Sequence, residues 1–252
     1  MTAFVLLHGF AQTPASWDAV VRPLQAAGHR TYVLDLYQRS GLPLESLCAY
    51  IAEVVGKVAQ ADGEPVFVGY SMGGRLAAET VVRHPDLPLA GLVLESAGLG
   101  PADEAARAAL AERNGEWAAR LRREGVASFM DWWETLPLFA SQRALPPEVR
   151  AAVRAERTSH DAEPLARSLE AWGAHHQADE AATLSALAEL AGRGVPVLYL
   201  AGSRDEKYAS AAARVRAAGL PAMLVPDAGH NVHLEAPSAF LEALGAPAAD
   251  LL

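Results

Sequence analysis

Residues 66–75, VFVGYSMGGR, run an apolar segment straight into a helix-forming one through a Gly-x-Ser-x-Gly turn. Passing from strand to helix at a single residue strains that residue's backbone, and small neighbours at Gly69 and Gly73 let the chain close in around it. The result is a serine, Ser71, raised above the end of its strand. The pentapeptide alone recurs by chance; a buried strand before it and a helix after it make it informative. Arg75 follows in the helix's first turn, where the positive end of the helix dipole disfavours a cation by about 0.3–1 kcal/mol. That arginine either faces water or has an anionic partner.

The elbow's strand is one of six similar runs: FVLL at 4–7, TYVLDL at 31–36, PVFVG at 65–69, GLVLE at 91–95, VPVLYL at 195–200 and AMLVP at 222–226. They are rich in valine and leucine without polar alternation, which suits strands buried on both faces of a parallel sheet. Helical stretches are expected at roughly 17–27, 44–61, 72–84, 206–218 and 237–244. Strands and helices in alternation predict an α/β fold, a mostly parallel sheet flanked by helices. One connection breaks the rhythm. About 95 residues separate LVLESAGLG from the next strand, and they hold Trp117, Trp132, Trp133 and Trp172, four of the five tryptophans. The economical division is a core of residues 1–99 and 181–252 and a helical lid of 100–180, set over the carboxyl ends of the strands where open α/β sheets bind ligands. For each tryptophan the alternative is packing alone, fastening the insertion to the core.

Two further residues fall at strand ends. Asp205 follows the fifth run in LAGSRD, and His230 follows the sixth in VPDAGHN. The chain order Ser, Asp, His is one of the orders in which a nucleophile, its base and the acid that orients it occur. Glu95, which also ends a strand, is the rival for the acid. The LLHGF turn after the first strand directs a backbone N–H, that of Phe10, toward the serine, and the Met72 N–H supplies a second oxyanion donor. His8 reads as a structural histidine bonded within that turn, and His233 as a loop-stabilising residue. His175 and His176 lack a third ligand at metal spacing.

The chain carries a formal charge of −9, which argues against nucleic acid or an anionic membrane as partner. A local arginine cluster can still reverse the field in one cleft, so a small anionic substrate stays open. A single cysteine, Cys48, excludes an internal disulfide. No apolar run reaches the roughly 18 residues of a membrane span. MTAFVLLHGF lacks the basic start of a signal peptide, so a cytoplasmic protein is expected.

With these motifs in place the chain resembles the α/β-hydrolase superfamily over essentially its whole length. Within it the chain resembles the 2-succinyl-6-hydroxy-2,4-cyclohexadiene-1-carboxylate synthase family of menaquinone biosynthesis. VGYSMGGR, AERNGEWA, FMDWWETLPLFAS, AERTSHD, GSRDEKY and GHNVHLEAP carry that resemblance. The segment DLYQRSG departs from the D-x-x-G-x-G loop common in related hydrolases and alters that side of the expected pocket. The resemblance implies a triad of Ser71, Asp205 and His230; substrate carboxylates held by Arg75, Arg113 and Arg157; further pocket positions at Tyr70, Trp132 and Lys207; no metal or organic cofactor; and elimination of pyruvate from a carboxylate-bearing substrate. For Arg113 and Arg157 the alternative is a solvated helix face. A carboxylesterase or thioesterase acting through an acyl-enzyme on Ser71 would use the same triad, and a non-catalytic receptor could retain it. Oligomeric state is not readable from the sequence.

Overall fold

A computed structural model describes residues 1–248. Six strands, β1 (Ala3–Leu7), β2 (Arg30–Leu34), β3 (Val66–Tyr70), β4 (Gly91–Glu95), β5 (Val197–Gly202) and β6 (Ala222–Val225), pair in the order β2-β1-β3-β4-β5-β6, every pair parallel. The ten α-helices of the described residues are α1 (Asp18–Ala26), α2 (Leu44–Asp62), α3 (Met72–Arg83), α4 (Glu104–Trp133), α5 (Pro147–Thr158), α6 (Ala162–Ala171), α7 (Glu180–Gly192), α8 (Glu206–Ala217), α9 (Val232–Glu235) and α10 (Pro237–Ala248).

Alternation along each strand divides the core into two layers. Val5 and Leu7 of β1 and Leu92 and Leu94 of β4 pack with α2, α3, α7 and α8. Phe4, Leu6 and Val93 face the other way, against α1 and α10. Both faces are covered, which is why the strand sequences read as unbroken apolar runs.

Two details differ from the sequence expectation. β2 ends at Leu34 rather than at 36, because Asp35 turns the chain: its carboxylate accepts the Tyr37 N–H at 3.2 Å and opens a short 3-10 turn over Leu36–Arg39. An unexpected helix, α7, leads into β5. Its alanines blur the apolar stripe, but Asp179 caps its first turn through the Ala182 N–H, and Leu187 and Leu190 are buried in the layer shared with α3.

Between β4 and α7 lie α4, α5 and α6. Gly125, at φ 77°, breaks the long α4 into two segments. Leu121, Phe129 and Met130 of α4 meet Leu165 and Leu169 of α6 in a third apolar cluster, which reaches Ala11 on the core side. Trp172 belongs elsewhere: it is fully buried in the main core, and its indole N–H donates to the Leu42 carbonyl at 2.8 Å.

Candidate active site

Ser71 sits where β3 turns into α3, with φ 50° and ψ −108°. A non-glycine residue in that region is strained. The strain is held in place by the Ser71 N–H donating to the Glu95 carbonyl at 2.8 Å and by close chain passage on both sides. A Cβ on Gly69 would lie 2.5 Å from the Gly73 carbonyl oxygen, and one on Gly73 would overlap the Leu7 carbonyl. Only glycine fits either position.

Ser71 Oγ lies 3.0 Å from His230 Nε2, and His230 Nδ1 lies 2.7 Å from Asp205 Oδ2. The carboxylate can only accept, so Nδ1 carries the proton and Nε2 is free to take one from the hydroxyl. Asp205 is nearly buried; its other oxygen accepts the Tyr208 N–H at 3.2 Å, tying the acid to the start of α8. The structure therefore brings together three side chains that the sequence spreads over 159 positions. Phe10 and Met72 border the same cavity, and their N–H groups donate to no protein acceptor among the described residues. Two free donors beside a serine hydroxyl are equipped to bind developing negative charge on an oxygen.

The cavity measures about 280 Å³. Arg75, Arg113, Arg157, Lys207 and Arg214 border it, and among the described residues no Asp or Glu does. Two of these cations are already paired: Arg157 with Glu134 at 3.1 Å and Arg214 with Glu180 at 2.7 Å. Arg75, Arg113 and Lys207 make no salt bridge among the described residues. Burial brings the Arg75 guanidinium down to about 10, still charged at neutral pH, and burial also lowers Arg113. Arg113 rests over the Trp117 ring at 4.6 Å, and Lys207 over Tyr208 at 4.8 Å. Tyr70 is buried at the cavity wall, and that burial, followed by the Glu95 charge, raises its phenol well above the usual value.

One expected pocket residue lies elsewhere. Trp132 does not border the cavity; its ring packs against the Arg120 guanidinium at 4.5 Å. Neighbouring helix positions point about 100° apart, and it is Trp133 that faces inward, in contact with Phe10. Arg157 borders the cavity but is held by Glu134 and by Gln142 Oε1 at 3.0 Å, so its charge is partly met within the protein. Glu95 and His233, weighed separately in the sequence, form a pair of their own: His233 Nδ1 lies 2.6 Å from Glu95 Oε2. Tyr208, whose ring lies 4.8 Å from the His230 ring, went unremarked in the sequence. His8 is structural, accepting the Leu36 N–H at 3.1 Å through Nε2.

Comparison with known proteins agrees with this architecture. The family model described as "Alpha/beta hydrolase family" matches residues 4–243. A Salmonella paratyphi C (strain RKS4594) protein named 2-succinyl-6-hydroxy-2,4-cyclohexadiene-1-carboxylate synthase is 38% identical over 248 residues, covering 96% of this chain and 92% of that one. A Citrobacter koseri protein of the same name is 38% identical over 179 residues, 70% of this chain and 65% of the relative. Among solved structures, that of MenH from S. aureus superposes with a TM-score of 0.86 at 24% identity, covering 99% of this chain and 94% of the other. Strand order, elbow and family match coincide over nearly the full length, and the chain belongs to the alpha/beta hydrolase family.

Proposed function

We propose that this enzyme is a 2-succinyl-6-hydroxy-2,4-cyclohexadiene-1-carboxylate synthase, a carbon–oxygen lyase of menaquinone biosynthesis. It would eliminate pyruvate from 2-succinyl-5-enolpyruvyl-6-hydroxy-3-cyclohexene-1-carboxylate. The observation that carries the reading is the charge of the cavity. A chain of net charge −9 lines the cavity at Ser71 with five cations and, among the described residues, no carboxylate, and three of those cations have no acidic partner among the described residues. Such a cleft suits a substrate with several carboxylates, and the names of the curated relatives support the same assignment.

In this reading His230 Nε2 takes the Ser71 proton and the Ser71 oxygen removes a proton from a ring carbon. The electron pair of the broken C–H bond forms a new ring double bond, the existing ring double bond shifts by one position toward the leaving group, and the C–O bond to the enolpyruvyl group breaks. The leaving group departs as the enolate of pyruvate and takes up a proton. Asp205 keeps His230 in the required tautomer, a general-base arrangement worth about 10²–10⁴-fold. The Phe10 and Met72 N–H groups meet the developing negative charge. Arg75, Arg113 and Lys207 hold carboxylates that do not change charge in the reaction, so they serve capture and orientation. Helices α4, α5 and α6 act as a lid that closes the cavity from above.

A coupled assay for pyruvate release from the enolpyruvyl substrate, run beside a panel of p-nitrophenyl esters, tests the assignment. Release that depends on Ser71 supports it. Absence of release together with rapid ester cleavage and an acyl adduct on Ser71 would make the protein a carboxylesterase or thioesterase instead.

A further inference from the structure

Arg75 is the cation nearest in sequence to Ser71, and its surroundings are unusual in what they omit. Its Nη1 donates to the Trp172 carbonyl at 3.0 Å and to Gln177 Oε1 at 3.2 Å. Both acceptors are neutral. Gln177 also returns a bond, its Nε2 donating to the Arg75 carbonyl at 3.1 Å, so one side chain grips the same arginine at backbone and guanidinium. Gln177 is itself nearly buried, at 3% exposure. Its own carbonyl is fixed by Arg107 Nη1 at 2.8 Å, and the same nitrogen holds the His175 carbonyl at 2.7 Å.

A buried arginine ordinarily takes a carboxylate partner, because removing a lone charge from water is expensive. One carboxylate stands at the helical spacing that would provide it. Glu79 is one turn along α3 from Arg75 and is 2% exposed. Yet its Oε1 pairs with Arg83 at 2.7 Å and its Oε2 accepts the Ala178 N–H at 2.9 Å. The adjacent residue of the same loop thus diverts the acid that could have neutralised Arg75, while Gln177 fills the place with an uncharged isostere of glutamate.

We propose that Gln177 is a specificity-determining residue, a neutral clamp that fixes the Arg75 guanidinium at the cavity wall while leaving its charge for a carboxylate of the substrate. Gln177 does not border the cavity, so it acts through Arg75 as a positioning residue. The proposal rests on the anionic-substrate reading of the cavity and extends it to a residue outside the lining.

The swap that tests it is Gln177→Glu, which keeps shape and one acceptor but adds a charge, beside Gln177→Met, which keeps volume without polar contacts. Two readouts are taken: steady-state kinetics on the enolpyruvyl substrate, and binding of succinate followed by the fluorescence of the cavity tryptophans. With Gln177→Glu the expected result is a rise in KM of about tenfold or more with kcat changed far less, and succinate binding weakened by a similar factor. Gln177→Met is expected to weaken both by less than Gln177→Glu, since it loosens the guanidinium without quenching it. Equal affinity for succinate in wild type and Gln177→Glu, equal losses in the two variants, or no succinate binding to the wild type would each overturn the inference. Wild-type protein that releases no pyruvate but loses succinate affinity on Gln177→Glu would retain the clamp and remove the synthase assignment.

Discussion

Glu95 Oε2 and His233 Nδ1 meet at 2.6 Å inside the protein, and neither side chain has any exposed surface. Glu95 also accepts the His233 N–H at 3.1 Å, while its own carbonyl takes the Ser71 N–H. One residue thus braces the nucleophile turn and the segment that follows His230. Glu235 completes the brace by accepting the Gly229 N–H at 2.8 Å. Trp17 stacks on the His233 ring at 4.0 Å, sealing the pair from water. Removing one partner strands the other: Glu95→Ala is expected to destabilise the fold by about 3–5 kcal/mol in urea unfolding. Replacing both partners with leucine should cost clearly less than the sum of the single replacements. A double-mutant cycle showing strict additivity would mean the two residues act independently.

In the proposed mechanism, proton removal turns on the hydroxyl at 71. Ser71→Ala should leave the unfolding midpoint close to wild type and lower kcat for pyruvate release by about 10³-fold or more. Asp205→Asn should also lower kcat strongly, because an amide can donate to Nδ1 and favour the wrong imidazole tautomer. Retention of more than a tenth of wild-type kcat in Ser71→Ala would show that the serine is not the working group.

Arg75 should act on capture. Charge-assisted hydrogen bonds contribute about 1.5–3 kcal/mol each, so Arg75→Ala is expected to lower kcat/KM by about 10- to 100-fold with most of the loss in KM. Arg75→Lys should recover only part of it, because the ammonium cannot present the planar fork that bridges a carboxylate. Unchanged kinetics in Arg75→Ala would remove the arginine from substrate binding.

The strands were readable because both faces of the sheet are covered: Phe4 and Val5 point oppositely and both are buried, so no polar residue interrupts the run. Ser71, Asp205 and His230 were readable as candidates because each follows a strand, and a parallel sheet delivers all strand ends to one edge. What could not be read is the choice among side chains that compete for the same neighbour. Nothing local indicates that Glu95 bonds a histidine 138 positions away, or that Glu134 occupies Arg157. Likewise the register of α4 is reset at Gly125, and a helical wheel drawn through that break cannot decide which of two adjacent tryptophans turns inward. Gln177 carries no sequence signal of its function at all, since its role consists of not being an acid.

Trp132 and Trp133 provide a test of that register. Trp133 is 9% exposed and touches Phe10, Trp117, Phe129 and Phe139. Its truncation to alanine should cost about 3–5 kcal/mol, as for a large buried aromatic, and should raise KM by opening the cavity wall. Trp132 is only half-buried, and its main polar contact is the Arg120 guanidinium. Its replacement should cost nearer to about 1 kcal/mol, the scale of an exposed cation–π contact, with little change in kcat/KM. The opposite ranking, measured by urea unfolding and kinetics, would mean that Trp132 is the cavity residue.

His8 makes the acid stability of the fold predictable. It is fully buried between the ends of β1 and β2, with Nδ1 beside the Gly9 carbonyl at 2.9 Å and Nε2 accepting the Leu36 N–H at 3.1 Å. Burial lowers its pKa to about 4, against 6.5 in the unfolded chain. Above pH 6.5 both states hold the ring neutral and the full stability is present. Between pH 6.5 and about 4 the unfolded chain binds a proton that the folded chain refuses, so stability falls with pH; below about 4 the loss from this residue is complete. The difference in pKa sets that loss at about 3 kcal/mol. Urea unfolding across this range should show the decline, and His8→Gln should flatten it by up to one proton even if the variant is less stable throughout. An NMR titration of the folded protein in which the His8 ring charges near pH 6.5 would refute the assignment.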